Sequence, residues 1–382
     1  MPSCSSGCGR SASSSSRKAR GLDPSGGECH PPGVDAPPCS HFELFAVQAR
    51  VSLEDYASAE AFAERHRALA RRIDRLRTRD SSGRPRYPAL AVWPEMVGAP
   101  LGLMGHLHRV RRSRTTKAAM VRVALAEVFS LAAAVRHRPS SLEECLYAAT
   151  AARVHRAMWS TFSEIAREFE LWVVAGSALL PKNRLGVDTA EFAPVSARTY
   201  NTSYTFSPEG RCVSVTRKVN LVPTPFGQLG TLICYDGFRE PHTSREPSFV
   251  PAARLLDARG VNVIAQPSAN AWPWDEPWAF NEPGETQLRR EQWFNEGLYS
   301  QLGALQSVRY AVNPQLVGGF FENVFEAPSL ILERVHPGAV RVLARAQDPR
   351  AEEVVHVTVP VPPVKEEPPR SSLGVMPVHP RT

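Results

Sequence analysis

Three side chains in this 382-residue chain have the types and settings that nucleophilic chemistry needs: Glu95, Lys218 and Cys234. Cys234 follows an apolar run, 229–233, that reads as a buried strand, and Tyr235, Asp236 and Gly237 then turn the chain away. A cysteine at a strand end faces a cleft, and a thiolate is the strongest side-chain nucleophile near neutral pH. Glu95 stands just past Pro94, which must end or edge a second strand because proline cannot donate to a ladder. Lys218 lies near the end of a hairpin strand. Meeting at one set of strand ends, the three make a coherent machine. The carboxylate takes the thiol proton and passes it to a leaving amine. The ammonium holds the thiol as thiolate and stabilises an oxyanion. The thiolate attacks a carbonyl or nitrile carbon, and water then releases an acid from the thioester. Singly, each has a plainer reading: a loop carboxylate, an exposed lysine, a core cysteine.

The elements that must position these residues follow from hydrophobic period. Residues 41–48 suit a first strand, and a helix runs from Leu53 with Ala57, Ala61, Phe62, Leu69, Ile73 and Leu76 at helical spacing. Residues 87–95 give the second strand, 142–170 a long helix and 171–177 the next buried strand. A hairpin is predicted over 200–219, with Pro208 and Gly210 as turn residues, followed by the strand before Cys234. Then come a helix at 251–259, a strand at 261–265, a loop-rich stretch to Trp293, a helix over 285–307, and strands near 310–313, 329–332 and 353–361. Helices interleave with strands and strands later follow one another, which argues for an α/β layered domain with a mixed sheet.

Composition bounds the rest. With 43% hydrophobic residues the chain can bury a large core, and no apolar run is long enough to span a membrane. The domain plan is a Ser/Pro/Cys-rich arm over 1–39, one domain over 40–361 and a Pro-rich tail over 362–382. The N-terminal segment lacks a signal-peptide core, so the expected location is cytoplasmic, with no membrane partner. Four of the seven cysteines fall in the arm without paired C-x-x-C spacing, so no metal site is expected. The net charge of +7 gathers in arginine runs over 65–122. No aromatic residues are interleaved there for base stacking, so a solvated helix face is preferred and no nucleic-acid partner is expected.

Trp93-Pro94-Glu95, Arg217-Lys218-Val219-Asn220-Leu221 and Ile233-Cys234-Tyr235-Asp236, in that order, resemble the nitrilase, or carbon–nitrogen hydrolase, superfamily. Val174-Ala175-Gly176-Ser177, Tyr200-Asn201, Pro208-Glu209-Gly210 and Gly260-Val261-Asn262-Val263-Ile264 add to the likeness, which covers about residues 41 to 360. The resemblance implies a four-layer αββα sandwich with mixed sheets and a homodimer or higher homo-oligomer. It implies hydrolysis of a small-molecule amide, carbamoyl compound or nitrile without metal or organic cofactor. It makes Glu95 the general base and acid, Lys218 the oxyanion stabiliser and Cys234 the nucleophile, with the Tyr235 N–H as a second oxyanion donor. Two departures stand out: residues 220–233 carry no acidic side chain where many members have a further glutamate, and Trp93 replaces a more usual phenylalanine.

Ser268, Asn270 and Trp272, just past the strand at 261–265, are at a depth to touch substrate. The tryptophans at 272–293 suit either a pocket wall or a packed loop, and the loops 97–118 and 266–293 shape the pocket. Alternatives to hydrolysis are an acyltransferase with an amine acceptor, a binding or scaffold protein on the same fold, and nucleic-acid binding through 65–122.

Overall fold

The structure, a computed structural model, describes residues 39–242 and 249–363. The predicted arm and tail, apart from Cys39 and residues 362–363, lie outside the described residues.

Two mixed sheets face each other. The first has seven strands: six in the order Glu353–Pro360, His41–Gln48, Ala89–Trp93, Trp172–Ala175, Pro194–Phe206, Ala178–Asn183, with Cys212–Thr216 also paired to Pro194–Phe206. The second has six, ordered Ala339–Arg345, Leu330–His336, Tyr310–Asn313, Val263–Ala265, Gly227–Leu232, Val219–Thr224. Each sheet has a parallel core of three strands: His41–Gln48, Ala89–Trp93 and Trp172–Ala175 in one, Gly227–Leu232, Val263–Ala265 and Tyr310–Asn313 in the other. Val219–Thr224 is an edge strand, which is how it tolerates Pro223.

Period-two alternation divides each strand between two cores. Phe42, Leu44, Leu90, Val92 and Val174 point to the other sheet and meet Leu229, Val263, Tyr310, Val312 and Ile331. Phe42 stacks on Phe226 with ring centroids 4.6 Å apart. The intervening residues Phe45, Ala91, Trp93 and Val173 turn outward and pack under the helices Ala59–Leu76 and Leu142–Glu168. On the far side Leu232, Ile264 and Leu332 pack under Ala252–Asp257 and Leu298–Leu302. The four layers, helix, sheet, sheet, helix, match the expected αββα arrangement. Each fully buried Phe or Leu in these cores contributes about 1.5–3 kcal/mol.

Three differences from the sequence reading concern the site. The helix expected over 285–307 is two helices, Arg289–Glu296 and Leu298–Leu302, broken at the extended Gly297. A Cβ at Gly297 would lie 2.4 Å from Trp293 O, so the break is sterically tied to glycine. Part of the segment read as a pocket loop, 97–118, is helical: Ala99–Leu103 and Leu107–Val110 lie within it and Thr116–Ala126 starts at its end, with Thr115 Oγ1 accepting from Ala118 N–H as a cap. A third, small sheet of Arg50–Val51, Val317–Phe320 and Asn323–Phe325 was not foreseen; it carries Phe320 and Phe325 to the cavity described below. Among the described residues, no single helix is long and apolar enough to cross a membrane.

Candidate active site

Cys234 opens a short 3₁₀ turn, Cys234–Gly237, just past the strand Gly227–Leu232. Its φ is 46°, a left-handed conformation that costs a non-glycine residue about 1–3 kcal/mol. Two bonds from beyond the neighbouring strand Val263–Ala265 hold it there. Cys234 N–H donates to Pro267 O at 2.8 Å, and Gln266 Nε2 donates to Cys234 O at 2.8 Å. Gly237 makes room for that amide, since a Cβ there would lie 2.2 Å from Gln266 Nε2.

Glu95 arrives from the other sheet, two residues past Ala89–Trp93. Its turn is braced from the neighbouring parallel strand: Met96 N–H donates to Ser177 Oγ at 3.0 Å and Gly98 N–H to Ser177 O at 2.9 Å. Gly176, at φ 65°, permits the close approach, because a Cβ would sit 2.1 Å from Pro94 O. The Val174-Ala175-Gly176-Ser177 stretch therefore serves as a support for the glutamate.

The carboxylate accepts from Asn201 Nδ2 at 2.6 Å and from Ala269 N–H at 3.1 Å, and the Cys234 side chain lies near enough for the two to influence each other's charge. Burial pushes the Glu95 carboxyl up to about 7; the bonds from Cys234, Asn201 and Ala269 pull it down, and the Asp236 charge pushes it up. Burial also drives the Cys234 thiol well above its ordinary value, reinforced by the Glu95 charge, while the Ala269 N–H and Arg289 work the other way. Both shifts favour the protonated forms of the two groups.

Both groups open into a cavity of about 500 Å³. Met96, Phe238, Trp272, Phe320 and Phe325 supply apolar wall, and Arg289 supplies a cation. A larger groove of about 840 Å³ across Ser300 and Val340 holds none of the reactive residues, so the smaller cavity is the chemical one.

The site residues read from sequence divide as follows. Glu95, Cys234, Tyr235 and Trp272 line the cavity. Lys218 does not; its ammonium is 3.2 Å from Asp236 Oδ1 and half its side chain is exposed. It sits at the bend between Cys212–Thr216 of the first sheet and Val219–Thr224 of the second. Ser268 is fully buried, accepts from Asn313 Nδ2 at 2.8 Å and donates to Gln266 O at 3.2 Å, so it props the strand ends and does not face substrate. Asn270 is equally buried; its Nδ2 donates to Trp272 O at 2.7 Å and Glu326 O at 2.6 Å, and its Oδ1 accepts from Arg289 Nε at 2.7 Å. It acts through Arg289, which the sequence reading did not single out. The only sequence signal for that residue was an arginine set among Trp272, Trp274, Trp278 and Trp293. Of these tryptophans, Trp272 faces the cavity and the other three are buried. No group of three or more metal-ligating side chains occurs among the described residues.

No family model matches this chain, and no curated protein does. Among solved structures, it is similar to an amidase from Nesterenkonia sp., at 15% identity and a TM-score of 0.48, covering 86% of this chain and 93% of that one. A mutant of that amidase, showing covalent addition of the acetamide moiety of fluoroacetamide at the active site cysteine, is similar at 14% identity and a TM-score of 0.45, over 85% and 92% of the two chains. Saccharomyces cerevisiae Nit3, a member of branch 10 of the nitrilase superfamily, is similar at 15% identity and a TM-score of 0.46, over 84% and 90%.

Proposed function

We propose that the chain is a carbon–nitrogen hydrolase of the nitrilase superfamily that cleaves a small-molecule amide through a Cys234 thioester. The observation that carries this reading is that Cys234 and a buried carboxyl raised to about 7 line one cavity of small-molecule size. Glu95 takes the thiol proton as Sγ attacks the amide carbon. It returns that proton to the nitrogen as the C–N bond breaks, and the amine or ammonia departs. A water molecule, deprotonated by the same carboxylate, then attacks the thioester; the acid leaves and the proton returns to sulfur. Lys218 acts here as a positioning residue. It partly neutralises Asp236, whose charge would otherwise push the Glu95 carboxyl higher.

Intact-mass analysis tests the reading. Wild type and Cys234→Ala are incubated with a panel of amides, carbamoyl compounds and nitriles while released ammonia is assayed. An acyl adduct on wild type alone, with ammonia, is the expected result; equal ammonia from both proteins would refute it.

A further inference from the structure

The arginine-rich stretch read from sequence as a solvated face divides in two in the structure. Arg65, Arg67, Arg71, Arg72, Arg77 and Arg79, on and just past the helix Ala59–Leu76, all pair with carboxylates. The basic residues that follow do not. Between His106 and Leu142 the only acid is Glu127, and it is held by Arg153 and His106. Arg109, Arg111, Arg112, Arg114, Arg122 and Arg136 form no ion pair with any described residue. The same segment bares apolar side chains. The helix Thr116–Ala126 and the helical run Val128–His137 meet at 92°. Their inner faces pack on the body, Ala119 and Val123 against Val110 and Leu146, Ala134 against Cys145 and Ala197. Their outer faces are apolar as well, with Val121 and Leu125 on one side of the elbow and Val128 and Phe129 on the other; Phe129 is 92% exposed and Leu125 73%. A helix that is apolar on all sides needs cover on all sides. Glu127, at the elbow, ties it down: Arg153, on the helix Leu142–Glu168, bonds its carboxylate, and His106 Nε2 lies 2.8 Å from its Oε1. The apolar ridge is thus pinned in its outward position.

Cations stand at both ends of this ridge. Arg122 Nη1 donates to Arg109 O at 3.1 Å, which sets the run 109–114 beside Thr116–Ala126, and Arg136 and Arg138 follow Phe129 at the other end. Apolar side chains fringed by unpaired cations complement a bilayer surface, with anionic headgroups around acyl chains. We infer that the elbow over 107–138 docks on an anionic lipid bilayer, with Leu125, Val128 and Phe129 among the acyl chains and the arginines on the headgroups. The expectation of no membrane partner rested on the lack of a spanning run, which an interfacial elbow does not need. A second copy of the chain is the poorer occupant, because a self-complementary contact would set two arginine fringes against each other. A nucleic acid would meet the arginines and leave Phe129 in water. Docking is independent of the hydrolase reading but bears on it. Thr116, where the helix begins, lines the active-site cavity, about 14 Å along the helix from Leu125 at 1.5 Å per residue, so a seated protein holds that cavity near the lipid.

Flotation of the full chain with vesicles tests this, using phosphatidylcholine alone and an equal mixture with phosphatidylglycerol, with thermal melts to confirm folding. Wild type should float with the anionic vesicles and far less with the neutral ones, and its binding should fall as salt rises. The double variant Leu125→Ser/Phe129→Ser should bind anionic vesicles roughly 10- to 100-fold more weakly, because the apolar area it would bury is gone. Both positions are exposed, so the fold should survive the change. Arg111→Gln/Arg112→Gln should weaken binding roughly 30-fold, about 5-fold for each arginine near the surface. Phe129→Trp should bind at least as well as wild type, since tryptophan favours the headgroup boundary. Wild type that stays off anionic vesicles at low salt would overturn the inference. So would flotation that Leu125→Ser/Phe129→Ser leaves unchanged, which would reduce the surface to its charge and fit a nucleic acid equally well. A wild-type dimer that this variant converts to monomer in sedimentation, without vesicle binding by wild type, would also overturn it and assign the ridge to a second copy.

Discussion

Replacing Glu95 with glutamine should separate activity from stability. The carboxyl is raised from 4.5 to about 7 by burial. A carboxyl whose native value lies above its unfolded value binds more protons in the folded state, so its contribution to stability falls as pH rises through that window. The shift is about 2.5 units, and each unit is worth about 1.4 kcal/mol, so the ionised glutamate costs the fold on the order of 3 kcal/mol above pH 7. Glutamine has no such cost, although its amide must face either Asn201 Nδ2 or Ala269 N–H, a pH-independent penalty. The informative quantity is therefore the change with pH. Urea unfolding of both proteins at pH 5 and pH 8 should show the variant gaining on wild type by about 2–3 kcal/mol between them. Its kcat should fall at least 100-fold, the low end for loss of a general base. Parallel stability curves across that range would refute the burial argument, whatever the activity.

Other perturbations read the same site from different sides. Asn201→Ala removes a bond that lowers the Glu95 carboxyl, so the acidic limb of the kcat/KM profile should move to higher pH. Asp236→Asn removes a charge that raises it, so the limb should move the other way; shifts in the same direction would contradict the assignment. Gly237→Ala drives a methyl into Gln266 Nε2, 2.2 Å away, so the bond to Cys234 O should break and alkylation of Cys234 should change rate, with a stability loss of about 1–3 kcal/mol in urea.

What the sequence disclosed depended on how local the determinant was. Apolar runs at 229–233 and 261–265 marked strands because burial on both faces leaves no alternation to misread, while 41–48 alternates and then turns apolar. Pro94 and the Tyr235-Asp236-Gly237 turn marked two strand ends, and those ends do bring Glu95 and Cys234 together. Lys218 was named by the same motif logic, yet it stands where the chain crosses from one sheet to the other, and residue order does not encode which way a side chain leaves such a bend. Ser268 and Asn270 had the right depth, but hydrogen bonds formed only in three dimensions turned both from substrate toward structure. Arg289 was hidden for the same reason: its setting comes from three tryptophans and an asparagine brought together by a loop and the helix Arg289–Glu296.

The proposed nucleophile and its proposed base, Cys234 and Glu95, come from different sheets. Each turn is braced within its own layer, Cys234 by Gln266 and Pro267, Glu95 by Ser177, and one bond, Ala269 N–H to Glu95 Oε2, crosses between the layers. Their separation is therefore set by that single bond and by how the layers dock through contacts such as Phe42 on Phe226. Backbone ladders resist displacement within a layer, whereas oily contact faces resist sliding only through shape. Reaction geometry in this protein is a gauge of interlayer alignment: a small slip between the layers would spoil proton transfer while leaving every ladder, and so the far-ultraviolet signature of the fold, intact.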